Sequence, residues 1–175
     1  MAINWRKMNQ YLKPRIGSRF AVVNDYIENT VLLIDLKNKF VLMSDSNRER
    51  AFSTEFIEQA RGDVLSIGFG IGFVIYPLIE KPEVKSLTIV EKYQEVLDLC
   101  ASQLDIPDRV NIVHCDIYTY KPGKLFDVIF DDCTWSTDDG DQVWGGPYEI
   151  EMRLRKYLKP DGIYLKWRDD GRYRD

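Results

Sequence analysis

The hydrophobic pattern changes character at residue 63. Beyond it, short apolar runs at 64–67, 87–90, 110–113, 126–130 and 163–167 recur at intervals long enough to hold a helix. Such runs, rich in Val, Ile and Leu, read as buried strands. Between them, Val96, Leu97, Cys100 and Leu104 fall on one stripe of a helix over 95–104. Ile150, Leu154, Tyr157 and Leu158 do the same over 149–158, with Pro147 before that helix and Pro160 and Gly162 ending it. Strands apolar on both sides, alternating with helices, predict a parallel sheet with helices on both faces. The expected fold is α/β, Rossmann-like and doubly wound, with about five core strands.

Before residue 63 the pattern is different. Residues 1–19 are mixed and basic, with a short helix expected before Pro14. Two β-rich runs, 30–36 and 40–44, flank Lys37-Asn38-Lys39 and read as a hairpin. Ser46 followed by Glu49 has the form of a capping box. Phe52, Phe56 and Ala60 follow at spacing four, with Gly62 as a stop, so a helix is expected there. No repeat or linker divides the chain. The expectation is one domain over 1–175, with an N-terminal helix and hairpin extension at 1–62 and the core at 63–175.

Composition narrows the class. The chain has 175 residues and a net charge of −4, enough for a core without disulfide staples. No apolar run approaches the ~20 residues of a membrane span. The acidic balance argues against a nucleic-acid partner. The cysteines, Cys100, Cys115 and Cys133, are odd in number and form no CxxC pair, which fits reduced thiols in a cytoplasmic protein. His114-Cys115-Asp116 is the one place where three metal ligands adjoin. Neighbours in a strand face opposite ways, so no metal is expected there.

Candidate chemistry begins after the first strand, at Gly68-Phe69-Gly70-Ile71-Gly72. Alternate glycines permit a tight turn and close approach to a ligand, and a following helix would point free amides at it. Pro77 requires that helix to start late, kink or be short. The spacing is GxGxG, not the GxGxxG of dinucleotide enzymes, which places a nicotinamide dehydrogenase far down the order. Glu91 ends the second strand, where a carboxylate can accept from both hydroxyls of a ribose. Asp116 ends the third strand and Asp131-Asp132 the fourth. All lie at carboxyl ends of parallel strands, where doubly wound sheets bind ligands.

Together DVLSIGFGIG (63–72), LTIVEK (87–92), VNIVHCDI (110–117), FDVIFDD (126–132) and LKPDGIYLKW (158–167) resemble a class I S-adenosylmethionine-dependent methyltransferase. The resemblance covers 63–167. It implies that Gly68, Gly70 and Gly72 pass under the methionine moiety of S-adenosylmethionine. It implies that Glu91 holds the ribose, that Asp116 meets the adenine amino group and that Ile117 lies against the ring. Asp132 would face donor and substrate as the catalytic acid, with Asp131 and Trp135 toward the substrate. The segment 52–72 is similar to guanidinoacetate methyltransferases, and 84–100 to spermidine synthases. Both act on cationic nitrogen, so transfer to nitrogen of a small cationic substrate is expected. Ser66 stands where many methyltransferases carry an acid, although spermidine synthases also lack it. An aminopropyltransferase, or a non-catalytic cofactor-binding domain, are the alternatives.

The stretch after the fourth strand, 132–146, has no apolar periodicity and carries clustered Asp with Trp135 and Trp144. Acids with aromatics suit a cationic group. The same composition suits a solvated acidic loop, and clustered carboxylates also suit a divalent ion. Family domains carry two further strands beside the fifth, and 168–175 is too short and charged to supply them. The open edge of the fifth strand then needs cover. The charged tail, the 30–44 hairpin or a second subunit would provide it, and a homodimer is expected.

Overall fold

Two sheets of opposite kind meet at the glycine loop. The computed structural model describes residues 3–132, 134–136, 142–144 and 148–166, with only the backbone for 134–136 and 142–144. In chain order the elements begin with β1 (Arg15–Ile16), β2 (Phe20–Asp25), β3 (Thr30–Asp35) and β4 (Phe40–Ser44). α1 (Asn47–Gln59), β5 (Gly62–Ile67), α2 (Ile75–Ile79), β6 (Val84–Glu91), α3 (Gln94–Leu99) and β7 (Val110–His114) follow. The last are β8 (Phe126–Asp131), β9 (Thr134–Ser136), β10 (Gln142–Trp144), α4 (Tyr148–Leu154) and β11 (Leu158–Lys166).

The core is a five-stranded sheet in the order β11-β8-β5-β6-β7, with every pairing parallel. This is the α/β Rossmann-like architecture read from the alternation. Strand residues alternate between two apolar layers. Val64, Leu87, Ile89, Val128 and Phe130 pack on one face with α1, α2 and α3. Leu65, Ile67, Val90 and Ile129 pack on the other with Ile150 and Leu154 of α4. Phe56 of α1 stacks on Phe130 of β8, ring centroids 3.7 Å apart. The connection 115–125 returns from the edge strand β7 to β8 without a helix, and Ile117 and Tyr120 cover the second face instead.

The N-terminal extension differs from expectation. The hairpin is there as β3 and β4, but as half of a four-stranded antiparallel sheet, β1-β2-β3-β4. Its β2 is a strand absent from the sequence reading, although Phe20 to Val23 form an apolar run of the same kind as those of the core. Asp45, buried at the end of β4, ties this module together. Its carboxylate accepts from the amides of Met8 (2.9 Å) and Val31 (2.7 Å) and from Arg50 (3.1 Å).

The helices are shorter than periodicity predicts. Ser46 caps α1 by accepting from the Glu49 amide, but the reciprocal half of the box is replaced, since the Ser46 amide donates to Ser44 Oγ. α2 spans five residues and holds Pro77 in its first turn, where a missing N–H costs little. The expected helix 95–104 breaks at Cys100 into α3 and a 3-10 turn, Ala101–Gln103. The expected helix 149–158 also ends in a 3-10 turn, Arg155–Tyr157. β11 begins at Leu158, with a register shift before Ile163 that absorbs Pro160 and Gly162. Residues 134–136 and 142–144, read as loop, form the antiparallel pair β9–β10. Among the described residues β11 pairs only with β8, so the hairpin does not cover that edge. Trp167 and the tail 168–175 lie outside the described residues.

Candidate functional site

The order β11-β8-β5-β6-β7 puts two outward-running connections side by side, the loop after β5 and the turn after β8. A crevice opens there at the carboxyl ends. A cavity of roughly 470 Å³ occupies it, lined by Gly68, Gly70, Glu91, Asp116, Ile117 and Asp132 among others. The antiparallel sheet supplies a further wall of Leu33, Leu42 and Met43.

Gly68 and Gly70 do different work. Gly68 has φ +89° with open space where a Cβ would stand, so its exposed backbone borders the cavity. Gly70 has φ +55°, and a Cβ there would strike the Met43 thioether. The close approach of β4 therefore requires glycine. Gly72 also has positive φ, but it lies behind the loop, where a Cβ would come within 2.7 Å of Leu104 Cδ1. It does not line the cavity. Its carbonyl accepts from the Ile75 amide at the start of α2.

Glu91 is buried and holds the loop. One carboxylate oxygen accepts from the Phe69 amide (2.9 Å), the other from the Tyr93 amide (2.8 Å). Burial raises its pKa above the ordinary glutamate value, against these amides, which favour the ionised form. A carboxylate offers about four acceptor sites, so these amides leave acceptor capacity for a ligand's hydroxyl.

Asp116 lies beyond β7 in a turn, not on the strand as expected. It accepts from the Tyr118 amide (3.0 Å) and pairs with Lys92 (3.0 Å). Burial pulls its pKa up, but the Tyr118 amide and the Lys92 ammonium outweigh this, and the carboxyl sits below its ordinary value. Lys92 is raised in turn, chiefly by its hydrogen bond to Asp116. Ile117 is buried and lines the same cavity.

The two acids after the fourth strand separate. Asp132 lines the cavity. Asp131, expected to face the substrate, is fully buried in the sheet, where Tyr164 Oη donates to it at 2.9 Å. The reason is strand alternation, which sends neighbours to opposite sides. Ser66 is buried between Ile89 and Phe130 and does not reach the cavity. The Trp135 side chain, Cys133 and 137–141 lie outside the described residues. His114 Nε2 lies 3.1 Å from the Lys92 carbonyl oxygen while Cys115 lines the cavity. No group of three or more His, Cys, Asp or Glu placed to hold a metal occurs among the described residues. No helix among them is long and apolar enough to cross a membrane.

Sequence reasoning missed Lys92, Tyr93 and the Leu33-Leu42-Met43 wall. The first two adjoin Glu91 and were open to inspection. The wall had no local signal, because only packing brings β3 and β4 to the glycine loop.

No protein-family model matches the sequence, and no curated protein matches it significantly. Solved structures do match. Spermidine synthase from Thermotoga maritima superposes with a TM-score of 0.61 at 16% identity, over 87% of this chain and 54% of its own. The N-methyltransferase NodS from Bradyrhizobium japonicum, in complex with S-adenosylhomocysteine, gives 0.51 at 17% identity, over 68% of this chain and 61% of its own. The plantazolicin methyltransferase BpumL with S-adenosylhomocysteine gives 0.48 at 23% identity, over 66% of this chain and 41% of its own. The chain thus spans less than two thirds of each of these proteins. At these identities the first two likenesses establish a shared Rossmann-like fold.

Proposed function

We propose that the protein is an S-adenosylmethionine-dependent methyltransferase, acting as one domain on a nitrogen of a small cationic substrate. The observation that carries this reading is that one cavity joins Gly68, Gly70, Glu91, Asp116, Ile117 and Asp132 at four strand ends. The residues fit the donor. The open face of Gly68 admits a chain, Glu91 retains acceptor capacity for a ribose, and Asp116 beside Ile117 suits an amino-bearing aromatic ring. Gly72 supports the loop from behind. When bound, the donor supplies a sulfonium-activated methyl group, so the protein's main task is alignment. Asp132 holds the cationic nitrogen and accepts its proton.

Aminopropyl transfer is the second reading. The spermidine synthase match covers 87% of this chain and so extends beyond the Rossmann core into the N-terminal sheet. A homodimer belongs to the same proposal, since β4 and β11 each have one partner strand among the described residues. A concentration-independent monomer mass in light scattering would remove the dimer.

The test is calorimetry with S-adenosylmethionine, its decarboxylated form and S-adenosylhomocysteine, alongside Asp132→Ala. The expected result is donor binding in both proteins and turnover only in the wild type. Equal loss of donor affinity in Asp132→Ala would count against its role. No heat with any of the three ligands would reject the transferase.

A further inference from the structure

The connection from β7 to β8 carries Asp116 and Ile117 but no helix, so its course depends on what holds it from outside. Within it, the Asp116 carbonyl accepts from the amides of Thr119 (2.9 Å) and Tyr120 (3.0 Å), which closes one turn. The carbonyls of Ile117 and Tyr120 both go to Arg153 of α4. Its Nη1 donates to the Tyr120 oxygen (2.6 Å) and its Nη2 to the Ile117 oxygen. Ile117 and Tyr120 also share an apolar cluster with Ile150 and Leu154 of the same helix. Arg153 Nε is buried with no hydrogen-bond partner among the described residues. An unpaired buried donor costs stability, so burying this side chain is no gain by itself.

We propose that Arg153 is a positioning residue for the donor's base, and that it sets selectivity for the 6-amino group by fixing Asp116 and Ile117 in the cavity. This rests on the transferase reading above. A guanidinium is a rigid fork, and here its two arms take carbonyls at either end of the turn, which fixes the turn's rotation as well as its depth. Asp116 opens that turn, so its carboxylate inherits the placement. Lys92 also holds Asp116, at 3.0 Å, but the Lys92 side chain is 54% exposed. A pair so open to water adds little rigidity. Arg153 does not line the cavity, so its effect reaches a ligand only through the turn.

The experiment is calorimetry on the full chain with two ligands, S-adenosylhomocysteine and its analogue bearing purine in place of adenine. The analogue lacks only the amino group. The wild type is expected to bind S-adenosylhomocysteine at least ~10-fold tighter than the analogue, as a hydrogen bond to a charged group implies. Arg153→Met is expected to weaken S-adenosylhomocysteine and to narrow that ratio to under ~3-fold. Arg153→Lys, a point charge without the fork, is expected to fall between the two. A purely structural role would weaken both ligands alike, and an unchanged ratio overturns the proposal. Should Arg153→Met fail to fold, Arg153→Lys decides by the same ratio. A wild type that does not discriminate overturns the base contact and this inference with it, and leaves the transferase standing. No binding of S-adenosylhomocysteine overturns both.

Discussion

The Glu91 carboxylate and the Phe69 amide are joined by a 2.9 Å hydrogen bond that fastens the glycine loop to the end of β6. The residue expected to hold a ribose is therefore also the residue that shapes the loop. Glu91→Ala orphans the amides of Phe69 and Tyr93 together, and each buried orphan costs about 1–3 kcal/mol. Chemical denaturation should show a loss of about 2–6 kcal/mol for the two together, and S-adenosylhomocysteine affinity should fall at least ~10-fold. Unchanged stability would mean that water replaces the carboxylate.

Burial gives Glu91 a second signature. Its folded pKa is raised, so the native state keeps this proton to higher pH than the unfolded chain. By linkage its contribution to stability is complete below the unfolded glutamate value near ~4.3 and declines as pH rises through the folded pKa. Glu91→Gln should remove that declining slope in urea melts above about pH 4. A variant with the same slope as the wild type would refute this.

At the opposite end of the sheet the sign is reversed. Asp63 accepts from Ser86, Lys124 and Lys159, and these contacts hold its carboxyl far below the ordinary aspartate value. Its stabilisation is present above the unfolded value near ~4 and is lost as pH falls from there through the folded pKa. Asp63→Asn should flatten the acid limb of the stability curve below about pH 4 and lower the neutral plateau by the contribution that this limb carries. A wild-type acid limb in this variant would refute the assignment.

The loop glycines separate strain from contact. Gly68→Ala meets no atom within 4 Å, so its cost is the positive φ alone, about 1 kcal/mol, while its methyl enters the cavity. Gly70→Ala adds collision with Met43. Thermal melts should rank Gly70→Ala as the less stable, and Met43→Ala should rescue part of its loss in a double-mutant cycle. An additive cycle would show that the two residues do not touch.

Asp45 is buried with three partners, so removing its charge leaves Arg50 and two amides without their acceptor. Asp45→Ala should cost about 3–5 kcal/mol. A loss under about 1 kcal/mol would indicate a solvated site.

Much of this was local information. Five buried strands, the glycine turn and the acids at strand ends follow from apolar runs and residue chemistry. Those depend on burial and backbone sterics that each short segment carries by itself. The helices were misjudged in length because Cys100 and Arg155 sit where the chain tightens into 3-10 turns, and hydrophobic spacing is nearly the same for both.

The sequence alone determined the parallel core and which residues stand at its carboxyl ends. Tertiary structure decided which of them share a cavity. Alternation buried Asp131 under Tyr164 and left Asp132 on the cavity. Packing put Gly72 behind the loop, and folded β3 and β4 over it to add Leu33, Leu42 and Met43. A strand end is a property of its own residues, whereas a wall is made by segments far apart in the chain. Only the burial of both sheets against each other specifies that encounter.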